Sequence, residues 1–114
     1  MYKRQAQDNL TRADFVLETT NSINRAFELQ VDFFNQAGTV ETSFTLAIDP
    51  SADNSEIITD FVETFEGDRL NRLKNSSVLL FTLRLLPGAS IEQGTPGRIQ
   101  LKSKVVLYFN IDNT

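Results

Sequence analysis

The chain has 114 residues, enough for one domain; 40% of it is apolar and its formal net charge is −4. It contains neither cysteine nor histidine, which excludes disulfides, thiol catalysis, Ser-His-Asp hydrolysis and the His-Glu-x-x-His zinc site on inventory alone. No apolar run approaches the roughly 18 residues that a membrane helix needs, and an acidic total argues against nucleic acid as a partner.

From residue 13 onward the dominant period is two, the signature of half-buried strands. Residues 6–12 lack that alternation and are expected to be linker or disordered. The stretch "DFVLETT" alternates Phe15, Leu17 and Thr19 against Val16, Glu18 and Thr20 and reads as the first strand. "FELQVDFF" places Phe27, Leu29, Val31 and Phe33 on one face, with Glu28, Gln30 and Asp32 on the other. "NQAG" follows as a hairpin loop in which Gly38 supplies a positive φ. The returning strand "TVETSFTLAI" points Val40, Thr42, Phe44, Leu46 and Ile48 inward.

After the polar loop "DPSADNS", residues 56–65 carry both signals. Ile57, Phe61 and Phe65 recur at helical spacing, but Ile, Thr, Phe and Val dominate, so a strand is expected. "GDRLNRLKN" predicts a short helix over 68–75, with Asp68 as its cap and Leu70 and Leu73 on its buried side. "SSVLLFTLRLL" is a strand with Leu79, Phe81, Leu83 and Leu85 inward. In the loop that follows, Thr95-Pro96-Gly97-Arg98 fits a type II turn with Gly97 at the positive-φ corner. The last stretch alternates over its full length, with Ile99, Leu101, Val105, Leu107, Phe109 and Ile111 inward. Ser103, the polar residue on that inner face, marks the expected place of a bend or bulge.

Alternating strands, turn-rich connections and one short helix predict an all-β fold. It is expected to be an antiparallel β-sandwich, immunoglobulin-like or Greek-key, of five to seven strands, with a single domain over 13–112 and a tail at 113–114.

Charge is unevenly distributed. Up to residue 66 the chain has four basic and twelve acidic residues, a balance of −8; over 67–104 it has seven basic and two acidic, +5, and Asp112 accounts for the rest. The simplest reading is pairing between oppositely charged strands of one sheet; the functional one is a basic surface for an anionic partner.

Few chemistries are open to this inventory. Asp49, Asp53, Glu56 and Asp60 could offer oxygens to calcium, but "DPSADNSE" lacks the alternating acids and central glycine of an EF-hand loop. It reads as a polar loop, so no metal or other cofactor is expected. Glycoside hydrolysis needs only two carboxylates, and Asp60, Glu63, Glu66 and Asp68 could supply a pair; the thin fold and the lack of Trp argue against it. "PGASIEQGTPGR" is rich in glycine but joins two strands and lacks a phosphate-loop ending. No catalytic residue is assigned.

More informative are residues facing away from the predicted core. Val78 and Leu80 on one strand, and Val106 and Tyr108 on another, make both strands apolar on both faces. Such strands are usually covered on both sides. The cover is expected to be the helix at 68–75, a missing upstream part of the chain, or a protein partner. Val78, Leu80, Val106 and Tyr108, with the basic row Lys102 and Lys104, are therefore the expected partner surface.

Two resemblances add to this reading. "MYKRQ", read as GTG-TAT-AAG-AGA-CAG, resembles the end of a transposon-based sequencing adapter. That implies that residues 1–5 are an artefact and that the chain is N-terminally truncated. "FELQVDFFNQAG", "LLFTLRLLPG" and "TPGRIQLKSKVVLYFNID" resemble, in texture, β-sandwich domains of exported Bacteroidota-type lipoproteins. The resemblance implies an extracytoplasmic, non-catalytic module at the periplasm or cell surface, working by structural support or protein contact. The alternatives are a glycan-binding or glycan-cleaving domain and a phage virion component.

Overall fold

The computed structural model of the chain describes residues 9–88 and 96–110. They form six strands and one helix: β1 (Leu10–Asn21), β2 (Phe27–Phe34), β3 (Val40–Ile48), β4 (Ile57–Phe65), α1 (Gly67–Lys74), β5 (Val78–Leu85) and β6 (Ile99–Phe109). The ambiguous segment 56–65 is a strand, as its β-branched and aromatic content predicts. β1 begins at Leu10, inside the segment expected to be linker.

The strands make two antiparallel three-stranded sheets, ordered β4-β1-β6 and β3-β2-β5. The all-β sandwich read from the alternation is the fold. It is built mainly as a row of arches: β1 passes to β2, β3 to β4 and β5 to β6 by changing sheet at the same end, and only β2 and β3 form a hairpin. The arch β1–β2 is central, with β3–β4 on one side and β5–β6 on the other.

The core lies between the central arch and the β3–β4 arch. Phe15 and Leu17 from β1, Leu29, Val31 and Phe33 from β2, Phe44, Leu46 and Ile48 from β3, and Phe65 from β4 are all buried. Phe15 meets Phe33 edge-on, with ring centroids 5.8 Å apart, and Phe33 meets Phe65 at 5.5 Å. Such edge contacts contribute about 0.5–1.5 kcal/mol each beyond the buried area.

One polar side chain organises the arch end. Asn21 is fully buried. Its Nδ2 donates to the carbonyls of Arg25 (3.1 Å) and Asp49 (2.9 Å), and its Oδ1 accepts from the Ile23 amide at 2.9 Å. The first and third bonds close the β1–β2 arch; the second ties it to the β3–β4 arch. Ser51, also fully buried, extends the tie through its amide, which donates to the Ile23 carbonyl at 2.9 Å. On the other flank, the Ser22 amide donates to Arg98 (3.1 Å) and the Leu86 amide to Ala26 (3.0 Å).

Several local expectations are corrected. Val40 does not point inward. The β2–β3 register slips between Phe33 and Phe34, leaving Glu41 unpaired, so Val40 sits opposite Phe34 on the outer face. No bulge occurs at Ser103; the irregularity is at the other end of β6, where Thr11 of β1 is the extra residue. Asp68 is not the helix cap: Glu66 holds that position without a side-chain bond, and Gly67 makes the entry with φ 56°. Gly38 has the expected left-handed conformation, φ 83°. Gly97 does not, and what it supplies is close approach: a Cβ there would lie 2.7 Å from Ile23 Cγ1. The rest of that turn, Ile111 and the tail at 113–114 lie outside the described residues.

Nor does the helix cover β5 and β6. α1 packs against β1, β3 and β4, burying Leu70 and bringing Leu73 to the core. It closes the hairpin end and reaches the β5–β6 side only through Leu73 and Lys74, near Leu79.

Candidate functional site

β5 and β6 are the last strands of their sheets on the same side of the sandwich. Their inner faces follow from register. Leu79, Phe81, Leu83 and Leu85 lie opposite Phe33, Val31, Leu29 and Phe27. On β6, Leu101, Val105 and Leu107 lie opposite Thr19, Phe15 and Ala13. Residues directly opposite share a face, so these side chains point between the sheets, as their alternation predicts. They are not buried: exposure runs from 37% at Leu101 to 50% at Val105. The third arch is open along its flank for want of cover. β3 and β4 are edge strands as well, but they lean on each other and α1 packs over them, which buries Phe44, Leu46 and Phe65; β5 and β6 have no such cover.

The opening leads inward. A cavity of about 270 Å³ enters it and is lined by Phe15, Phe33 and Phe65 from the core, Leu79 from β5, and Val105 and Leu107 from β6. This seam between two unpaired edges was missed by sequence reasoning. The signal was the double-sided apolarity of both strands, but alternation assigns faces and does not reveal which strand ends a sheet.

The residues expected to form one partner surface are split by the fold. Val78 and Leu80 lie opposite Phe34 and Asp32, on the outer face of the β3-β2-β5 sheet, with Val40 beside Phe34. Lys102, Lys104, Val106 and Tyr108 lie opposite Glu18, Val16, Asp14 and Arg12, on the outer face of the other sheet. The two groups look out from opposite sides of the sandwich. Tyr108 is also engaged: its hydroxyl donates to Asp14 at 3.3 Å, and the Arg12 guanidinium lies 4.7 Å above its ring. Asp14 is the hub of that cluster, buried on the sheet's outer face. It accepts two bonds from Arg12, at 2.9 and 2.8 Å, and one from Thr64 Oγ1 at 2.9 Å. The Arg12 bonds, with those from Thr64 and Tyr108, hold its carboxyl below the usual Asp range.

Charge pairing follows the asymmetry of the sequence. Arg69 meets Glu63 at 2.8 Å, Arg98 meets Glu56 at 2.9 Å, Arg84 meets Glu28 at 3.6 Å and Lys102 meets Glu18 at 3.9 Å. Each joins a base from beyond residue 66 to an acid from before it. Lys104 has no carboxylate partner among the described residues.

The acidic loop makes its own bonds. Asp53 accepts from the Ser55 amide (3.1 Å) and hydroxyl (2.6 Å), which lower its pKa, and Glu56 faces Arg98. Among the described residues no three acids gather as a metal site would require. Asp60 and Glu63 lie opposite Glu18 and Phe15 of β1, so they point to opposite faces of the sheet and do not form a pair. No helix among the described residues is long and apolar enough to cross a membrane.

No family model, curated protein or solved structure matches the chain.

Proposed function

We propose that the chain is a non-catalytic protein-interaction module of an exported or cell-envelope protein, and that the seam between β5 and β6 is its working surface. The observation that supports this reading is the open third arch. Apolar inner-face residues of two unpaired edges flank a cavity reaching the aromatic core. Unpaired apolar edges invite pairing with another chain, and proteins that do not use such edges usually blunt them with proline, bulges or charge. Here neither strand contains proline, the register of both is regular over the seam, and the charges Arg84, Lys102 and Lys104 all lie on outer faces, away from the apolar opening. Placement outside the cytoplasm rests on the resemblance of "FELQVDFFNQAG" and "TPGRIQLKSKVVLYFNID" to exported lipoprotein domains.

A random-peptide display selection against the immobilised chain tests the reading. Enrichment that disappears when the seam carries Val105→Asp is the expected result. Enrichment untouched by that change, or none at all, contradicts it.

A further inference from the structure

We infer that the occupant of the seam is an extended partner segment alternating apolar with acidic residues, added as a strand to the free edge of β6. The inference rests on the reading of the seam as a protein-interaction surface, and it adds the chemistry of what binds there.

Charge on the open edges selects the occupant. β5 and β6 carry Arg84, Lys102 and Lys104 and no acid. Arg84 is already occupied by Glu28 and by Gln30, whose Oε1 accepts at 2.9 Å. Lys102 is held only loosely by Glu18, and Lys104 by no carboxylate. The positive charge beside the edge is therefore that of Lys104, with Lys102 shared with Glu18, on the outer face of β6; Glu18 and Asp60 stand one and two strands away on that face. A strand added there sends alternate side chains to the two faces. Its inward residues meet Val105 and Leu107 and close the cavity; its outward residues stand next to Lys102 and Lys104. Apolar inward and acidic outward is the pattern that satisfies both, and main-chain bonds to the edge supply the rest of the affinity.

A second copy of this chain fits less well. Antiparallel pairing of β6 with its own copy in full overlap sets Lys104 against Lys104, which is destabilising, and β5 of a copy brings another cation, Arg84, and no acid. Strand β4 of a copy does carry Asp60 and Glu63, but its inward Phe65 is already buried in its own core and Phe61 packs against that core. Its exposed Ile58 and Val62 face outward, and Ile57 is the exposed apolar residue on its inner face.

The test uses labelled peptides of about nine residues, long enough to match a typical strand, one alternating Val with Glu and one alternating Val with Lys. Binding to the full chain is followed by fluorescence anisotropy. The expected result is that the Glu peptide binds at least about tenfold more tightly than the Lys peptide, as two attractive rather than two repulsive cross-strand pairs imply. Lys102→Glu/Lys104→Glu, two exposed outer-face changes whose fold is checked by circular dichroism, should reverse the preference. Val105→Asp should abolish binding of both peptides. Equal binding of the two peptides overturns the inference while leaving the seam a binding surface. No binding of the Glu peptide at about 1 mM, or a dimer that Val105→Asp dissociates, also overturns it.

Discussion

Asn21 Nδ2 donates to the Asp49 carbonyl at 2.9 Å and so joins two arches through one buried side chain. That amide also serves the Arg25 carbonyl and the Ile23 amide, with no water needed. Asn21→Ala takes the partner from three part-buried main-chain groups, those of Ile23, Arg25 and Asp49. Each unsatisfied group costs about 1–3 kcal/mol, so the variant should lose at least about 2 kcal/mol in urea unfolding. A loss within about 0.5 kcal/mol, the range of ordinary surface changes, would show that the arches hold without it.

Gly97 and Ile23 are coupled by close approach. Gly97→Ala places a methyl group 2.7 Å from Ile23 Cγ1, and overpacking of this kind costs about 1–3 kcal/mol. In an Ile23→Ala background the obstacle is gone, and the same change should be nearly neutral. Thermal unfolding of the four variants gives the coupling directly; additive effects would mean that the contact is not the reason for glycine.

Asp14 sets an acid limit on stability. Its folded pKa lies below the ordinary value of 3.8 because Arg12 bonds its charged form, helped by Thr64 and Tyr108. A depressed folded pKa means that the stabilisation is complete above the unfolded pKa and is lost as pH falls through the folded one. Wild type should therefore lose stability below about pH 4 more steeply than Asp14→Asn, which has no such proton to take up. Asp53, lowered by its Ser55 bonds, adds to the acid loss in both proteins. Parallel stability curves between pH 5 and pH 2 would remove Asp14 from the account.

Openness of the third arch predicts a contrast between two inner-face positions that are direct register partners. Phe15 is buried and Val105, opposite it, is half exposed. Phe15→Ala should cost about 3–5 kcal/mol. Val105→Asp should cost no more than about 1 kcal/mol, as an exposed substitution does. If Val105→Asp unfolds the isolated chain, the seam is closed in solution.

Much of this fold is legible in the alternation. Phe27, Leu29, Val31 and Phe33 are on the buried face because nothing interrupts their period, and Gly38 turns the hairpin as its type requires. Val40 escaped because the bulge at Glu41 moves it one step, and a bulge leaves little trace in composition. Val78, Leu80, Val106 and Tyr108 do face outward, as their alternation predicts, but on two surfaces and not one. Val78 and Tyr108 belong to different sheets, and the period of a strand does not say which sheet it joins. The same gap hid the seam: Leu79 and Leu107 alternate like core residues, and they stay uncovered because the cover that α1 gives β3 and β4 does not extend over β5 and β6.

The most direct measurement of the central claim is hydrogen exchange of the full chain with and without the alternating Val/Glu peptide. With a strand added to β6, amides of residues 99–109 slow on binding while those of the β3 and β4 edges do not change. Slowing at β3 or β4, or no change along β6 under saturating peptide, would contradict that claim.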